Sequence, residues 1–172
     1  KLGMGSSLGA LARCYQSMGE QDKALFYNSK QENVYNEINN EAGISYSLYD
    51  KARIYYYWGN YDSTFYYYER ALEVYKDPDN AAISDKDNIA GYLSEIGQLY
   101  FETGEYEKAI DYTAQSVNLF DDASDEGSVG YVLNNLGQIY FYNNNLDKAI
   151  EYLNKSLIIQ KKIGLRGILL LH

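Results

Sequence analysis

One cysteine, one proline and one histidine occur in 172 residues, and each scarcity removes a class of answer. A lone Cys14 cannot form an internal disulfide, and it suits a reducing compartment such as the cytoplasm. The single histidine, His172, is the last residue, so neither imidazole acid–base catalysis nor a His/Cys metal site is expected. With Pro78 alone, long stretches are free to be helical, because proline breaks helix interiors. Turn residues are too sparse for a small β protein. No run approaches the roughly 18–20 apolar residues that cross a bilayer, and Ile168-Leu169-Leu170-Leu171 is far too short. Positive charge is scarce as well: 15 Lys and Arg face 24 Asp and Glu, a net charge of −9. Nucleic acid and anionic membrane surfaces both attract the opposite balance, so neither is an expected partner.

What is abundant is tyrosine, 21 in all, and much of it recurs in register. Leu8-Gly-Ala-Leu-Ala-Arg-Cys-Tyr15, Leu93-Ser-Glu-Ile-Gly-Gln-Leu-Tyr100 and Leu133-Asn-Asn-Leu-Gly-Gln-Ile-Tyr140 superpose. Four residues after each tyrosine stands Gly19, Gly104 or Asn144, and five further on Ala24, Ala109 or Ala149. A fourth copy runs Leu48, Ala52, Tyr55, Gly59, with Thr64 in the alanine column. The turn residues are 40, 45 and 40 apart, and the longer gap falls where Asp77-Pro78-Asp79-Asn80 reads as a loop. Periods of this length mark helical-repeat architectures.

Each repeat reads as two helices. In 86–103, Ile89, Leu93, Ile96, Leu99 and Tyr100 recur at three- and four-residue steps. In 106–121, Tyr106, Ala109, Ile110, Tyr112, Val117 and Phe120 do the same. The Gly or Asn between them suits a left-handed helix end. Ala12, Ala52, Gly97 and Gly137, facing Ala24, Ala109 and Ala149, let paired helices approach closely. The leucine column and two tyrosine columns, 15/55/100/140 and 27/67/112/152, then fill the space between helices. Burial of each such side chain contributes roughly 1.5–3 kcal/mol. Cys14 shares the column of Ile54, Leu99 and Ile139 and is expected in the core. Asn28, Gln31 and Glu32 stand where apolar residues should, which predicts a second helix in repeat one that is either more solvated or the end of the ordered array.

The pattern resembles the tetratricopeptide repeat, in a long 40-residue variety similar to the arrays of kinesin light chains, spindle-orientation adaptors and bacterial regulatory proteins. The resemblance implies an all-α alpha-alpha superhelix, with repeats near 3–40, 43–77, 86–122 and 127–163. A fifth repeat would open at 165–172, so the chain reads as a segment of a longer array. It further implies that the first helix of each repeat lines a groove for a protein or peptide. Carried over by register, the groove residues are Arg13, Tyr49, Asp50, Arg53, Tyr57, Glu95, Gln98, Phe101, Asn134, Asn135, Gln138 and Tyr142. Gln16, Ser17, Tyr46, Glu102, Tyr131 and Phe141 flank them. Asn134 and Asn135 match the asparagines that hold an extended peptide in long-repeat relatives, but Ala10, Asp50 and Glu95 interrupt a full ladder. The lysine of the chaperone-tail clamp is replaced by Gly9, Tyr49, Ser94 and Asn134. Asp50, Glu95 and Glu102 point to a partner carrying some Lys or Arg.

Other signals carry less. The stretch Gly3-Met4-Gly5-Ser6-Ser7-Leu8-Gly9 lacks the Lys-Ser/Thr of a phosphate loop. Asp121-Asp122-Ala-Ser-Asp125-Glu126 does not have calcium-loop spacing. Lys161, Lys162 and Arg166 suit a helix end. No catalytic residue, cofactor or metal is expected. The function expected is a protein-interaction scaffold, or alternatively a sensory segment controlling an attached effector domain. An unfinished fifth repeat would expose an apolar helix face, which allows end-to-end self-association.

Overall fold

The computed structural model describes residues 1–76, 86–120 and 126–169. Among them are eight α-helices: α1 (Leu2–Ser17), α2 (Gln21–Glu37), α3 (Glu41–Tyr57), α4 (Tyr61–Lys76), α5 (Lys86–Glu102), α6 (Tyr106–Leu119), α7 (Glu126–Tyr142) and α8 (Leu146–Leu169). The loops read at 77–80 and 121–125, and His172, lie outside the described residues. Backbone 165–169, where a fifth repeat is read, continues α8. No helix among the described residues is long and apolar enough to cross a membrane.

The chain divides into two compact units, Lys1–Ser84 and Asp85–His172. In the first, α1 pairs with α2 and α3 with α4, α2 packs on α3, and α1 lies beside α3. In the second, α5 pairs with α6 and α7 with α8, α6 packs on α7, and α5 lies beside α7.

The turn inside each pair is built the same way four times. Gly19, Gly59, Gly104 and Asn144 have φ of 74°, 71°, 82° and 58°. The next residue then donates its N–H back to the column tyrosine: Glu20 to Tyr15 O (2.9 Å), Asn60 to Tyr55 O (3.0 Å), Glu105 to Tyr100 O (2.8 Å) and Asn145 to Tyr140 O (2.9 Å). This is the Schellman end, which satisfies carbonyls the helix cannot. The link from α2 to α3 uses it too, with Asn39 at φ 50° and Asn40 N–H on Tyr35 O at 2.9 Å.

Small residues then let the paired helices touch. A Cβ on Gly97 would collide with Thr113 Oγ1 and sit 3.2 Å from the carbonyl oxygen of Ala109. Ala12, Ala24, Ala52 and Ala109 are fully buried. A serine bridges three of the four pairs between equivalent positions: Ser45 Oγ donates to Ala71 O (2.9 Å), Ser116 Oγ to Ala90 O (2.6 Å) and Ser156 Oγ to Gly130 O (2.7 Å). Each buried bond of this kind stabilises by about 1 kcal/mol.

The two tyrosine columns meet face to face. Tyr15–Tyr27, Tyr55–Tyr67, Tyr100–Tyr112 and Tyr140–Tyr152 stack at centroid separations of 5.2, 5.4, 5.3 and 5.5 Å. A lysine ammonium lies over a ring of each stack, 5.3 Å for Lys23 and Tyr15, 4.9 Å for Lys51 and Tyr67, 5.0 Å for Lys108 and Tyr100, and 5.0 Å for Lys148 and Tyr140. Most of these rings are therefore half-buried and not sealed in a core: one edge packs, and the face carries a cation.

Two expectations are corrected. Cys14 is exposed, although Ile54, Leu99 and Ile139 of its column are buried. The reason is positional: α1 packs on α2 and α3, and the face bearing Cys14 receives no neighbour. Nor is the second helix of repeat one solvated at its polar positions. Asn28 and Gln31 are both 0% exposed, and Glu32 pairs with Lys51 at 3.2 Å.

Candidate functional site

In the first unit, α1 and α3 bring the arginine column together. Arg13 sits one repeat, 40 residues, before Arg53. With Gln16, Ser17 and Tyr57 they line a cleft of about 270 Å³ near the C-terminal ends of the two helices. Arg13 Nη1 donates to Asp50 Oδ2 at 2.9 Å and to the Tyr46 hydroxyl oxygen at 3.2 Å. Arg53 lies over the Tyr49 ring at 5.8 Å, and Tyr49 packs in turn on Tyr46 and on Tyr68 of α4. Tyr57 is exposed.

Asp50 does not stand at the surface. It is 2% exposed, above the buried amides of α2. Asn28 Nδ2 donates to Ser47 O at 2.8 Å and to Gln31 Oε1 at 3.4 Å, and Gln31 lies beside Asp50. Gln31 fits there because position 9 is glycine; a Cβ on Gly9 would lie 2.5 Å from Gln31 Nε2. The polar residues that break the apolar pattern of α2 thus form the floor under Asp50. Burial pushes the Asp50 carboxyl up from 3.8 to about 6, against the pull of Arg13 and Arg53. Tyr46 is likewise raised, first by burial and then by the charge of Asp50.

This arrangement alters the reading of Asp50. As a sequence letter it offers negative charge to a basic partner; in the fold its charge is answered by Arg13.

In the second unit, α5 carries Glu95, Gln98 and Phe101, and α7 carries Asn134, Asn135, Gln138 and Tyr142. Glu95, Asn134 and Asn135 are half-buried, while Gln138 and Tyr142 are exposed. Gln98 Nε2 donates to Glu102 Oε1 at 3.1 Å, which keeps those two on one stripe of α5. Phe101 and Tyr142 bring the two helices together, ring edge to ring face at 5.2 Å, with Tyr106 5.9 Å from Phe101. Tyr131 and Phe141 are exposed alongside. The surface therefore has an aromatic knot at one end of α5 and α7 and a run of amides leading from it.

The columns that place these residues also place the chain among known proteins. Residues 88–162 match the family model described as tetratricopeptide repeat. Over that stretch the chain carries tetratricopeptide repeats. No curated protein matches it in sequence. Among solved structures it is similar to BtubC (BKLC) from P. vanneervenii, with 18% identity and a TM-score of 0.78 over 93% of this chain and 64% of that one. It is similar to aspartyl phosphate phosphatase F from Bacillus subtilis, with 18% identity and a TM-score of 0.83 over 93% of this chain and 41% of that one. The apo form of the quorum sensor NprR from B. thuringiensis matches with 18% identity and a TM-score of 0.78 over 91% of this chain and 43% of that one. The chain spans less than two thirds of the length of each. At this identity the likeness is one of fold: tetratricopeptide helical repeats, whose general use is protein–protein interaction.

Within the tetratricopeptide register, residues 13, 53, 98 and 138 form one column that reads Arg, Arg, Gln, Gln, and 17, 57, 102 and 142 another that reads Ser, Tyr, Glu, Tyr. Sequence reasoning named these positions. It missed the support beneath them, Asn28 and Gln31, whose signal was their polarity in an otherwise apolar helix pattern.

Proposed function

We propose that this chain is a binding scaffold that holds a segment of another protein on the exposed face of its first helices. The observation that carries the reading is the composition of that face. In the first unit α1 and α3 carry Arg13, Gln16, Arg53 and the exposed Tyr57, and in the second α5 and α7 carry Gln98, Phe101, Asn134, Asn135 and Gln138 with the exposed rings of Tyr131, Phe141 and Tyr142. Such rings offer contact area at low entropy cost, and amides can bond an extended backbone. A role in binding, not catalysis, fits residues that stabilise by contact and lack a nucleophile–base pair.

A second reading has its own support. The likeness to a quorum sensor favours a sensory segment that acts on a domain elsewhere in a longer protein. The exposed stripe Leu146, Ile150, Leu153 and Leu157 on α8 supports end-to-end packing against a further helix pair or a second copy.

The scaffold reading is tested by combining Asn135→Ala with Tyr142→Ala. Calorimetry with a peptide selected from a displayed library on the full chain is expected to show affinity falling about tenfold or more, as for loss of an aromatic anchor. Helicity by circular dichroism should stay unchanged. Unaltered affinity in the double variant would remove this face as the binding surface.

A further inference from the structure

We propose that an arginine of the bound peptide lies over the Tyr131 ring of the second unit, between Gln98 of α5 and Asn135 of α7, at the position the first unit fills with its own Arg13. The inference rests on the scaffold reading and adds the kind of side chain the partner presents.

The two units share one constellation, with two exchanges. Counted back from the turns, Arg13 stands six residues before Gly19, and Tyr46 and Asp50 stand thirteen and nine before Gly59. Gln98 stands six before Gly104, and Tyr131 and Asn135 stand thirteen and nine before Asn144. In each unit the first residue is on one first helix and the other two are on the next, and those helices lie side by side. On the first unit the Arg13 guanidinium lies 5.8 Å from the Tyr46 ring centroid. It donates to the Tyr46 hydroxyl oxygen at 3.2 Å and to Asp50 Oδ2 at 2.9 Å. On the second unit Gln replaces Arg and Asn replaces Asp, so one cation and one anion are gone together while the ring stays. Tyr46, beside its guanidinium, is 36% exposed, whereas Tyr131 is 62% exposed.

A planar cation from outside completes the second constellation. A guanidinium stacks on a tyrosine face and has donors only, so it needs oxygen acceptors beside the ring. Gln98 Nε2 donates to Glu102 Oε1 at 3.1 Å, which leaves Gln98 Oε1 as one acceptor, and the Asn135 amide supplies a second oxygen. No cation of either helix competes for the place. Beyond Lys86, its first residue, α5 contains no Lys or Arg, and α7 contains none. Lys86 is twelve residues before Gln98, roughly 18 Å along a helix. The other cations among the described residues of this unit are on α6 and α8, where Lys108 and Lys148 already lie over Tyr100 and Tyr140. A net charge of −9 draws a basic segment toward the chain as a whole. The partner carrying Lys or Arg that the sequence suggests is thus met, in this unit, by a bare ring and two amide oxygens.

The test uses the full chain and fluorescein-labelled probes read by anisotropy: hexaarginine, hexalysine, hexaglutamate and hexacitrulline, which keeps the shape of arginine without its charge. Hexaarginine is expected to bind several-fold more tightly than hexalysine, and hexacitrulline and hexaglutamate more weakly still. Tyr131→Ala is expected to weaken hexaarginine about tenfold, with helicity by circular dichroism unchanged because the ring is exposed. Gln98→Arg copies Arg13 into α5 and should weaken it to a similar extent. Gln115→Arg adds the same charge on the exposed side of α6 and should change affinity about twofold or less, since solvent and salt screen a distant surface charge. Full affinity in Tyr131→Ala, equal losses in Gln98→Arg and Gln115→Arg, or equal binding of hexalysine or hexacitrulline would each overturn the arginine seat. If library-selected peptides still lose affinity on Asn135→Ala/Tyr142→Ala, any of those results refutes the seat and leaves the scaffold reading standing.

Discussion

Ala109→Leu is expected to lower the unfolding free energy by about 1–3 kcal/mol, the usual cost of forcing extra methylenes into a packed site. Ala109 is fully buried, and its carbonyl lies 3.2 Å from where a Cβ on Gly97 would be. The α5–α6 pair therefore has no room on either side. A leucine must either push the helices apart or leave its preferred rotamer. The penalty also strains the neighbouring Ser116–Ala90 bridge of 2.6 Å. Urea unfolding followed by circular dichroism measures the change, with Glu107→Leu on the exposed side of α6 as a control near zero. A melt unchanged by Ala109→Leu would show that the repeat register is wrong.

Asp50→Asn is expected to remove a pH dependence worth about 3 kcal/mol. In the folded chain burial keeps the proton on Asp50 up to about pH 6, whereas the ordinary value is 3.8. Between those values the folded state binds more protons than the unfolded one. The contribution of Asp50 to stability is therefore full below about pH 4, declines as pH rises through 6, and levels off above it. A shift of about two units, at about 1.4 kcal/mol each, sets the size. Other carboxylates contribute equally to both proteins and cancel in the difference. Denaturant melts at pH 4.5 and 7.5 should thus show the variant gaining on the wild type as pH rises. A gap between the two proteins that stays constant would show that Asp50 is solvated.

Periodicity made the fold legible. Gly19, Gly59, Gly104 and Asn144 marked the turns because a positive φ restricts residue choice so sharply, and the alanine columns marked close approach for the same kind of reason. The positions assigned to the first-helix face were read from that same register. What sequence could not supply was which polar residues are buried. Asp50, Glu95 and Asn135 occupy one column, yet Asp50 alone is sealed, because Gly9 admits Gln31 and Arg13 reaches across from α1. Cys14 failed in the opposite sense: its column is buried only where another helix covers it. Register fixes direction, whereas burial depends on the neighbour, and the neighbour is not encoded in the column itself.

The central claim is that the first helices carry the binding surface, and amide hydrogen exchange with a library-selected peptide tests it most directly. Added protection, and loss of it on competition, is expected along α1, α3, α5 and α7, strongest near Arg13, Arg53, Gln98 and Gln138. Protection confined to α2, α4, α6 and α8 would contradict the account.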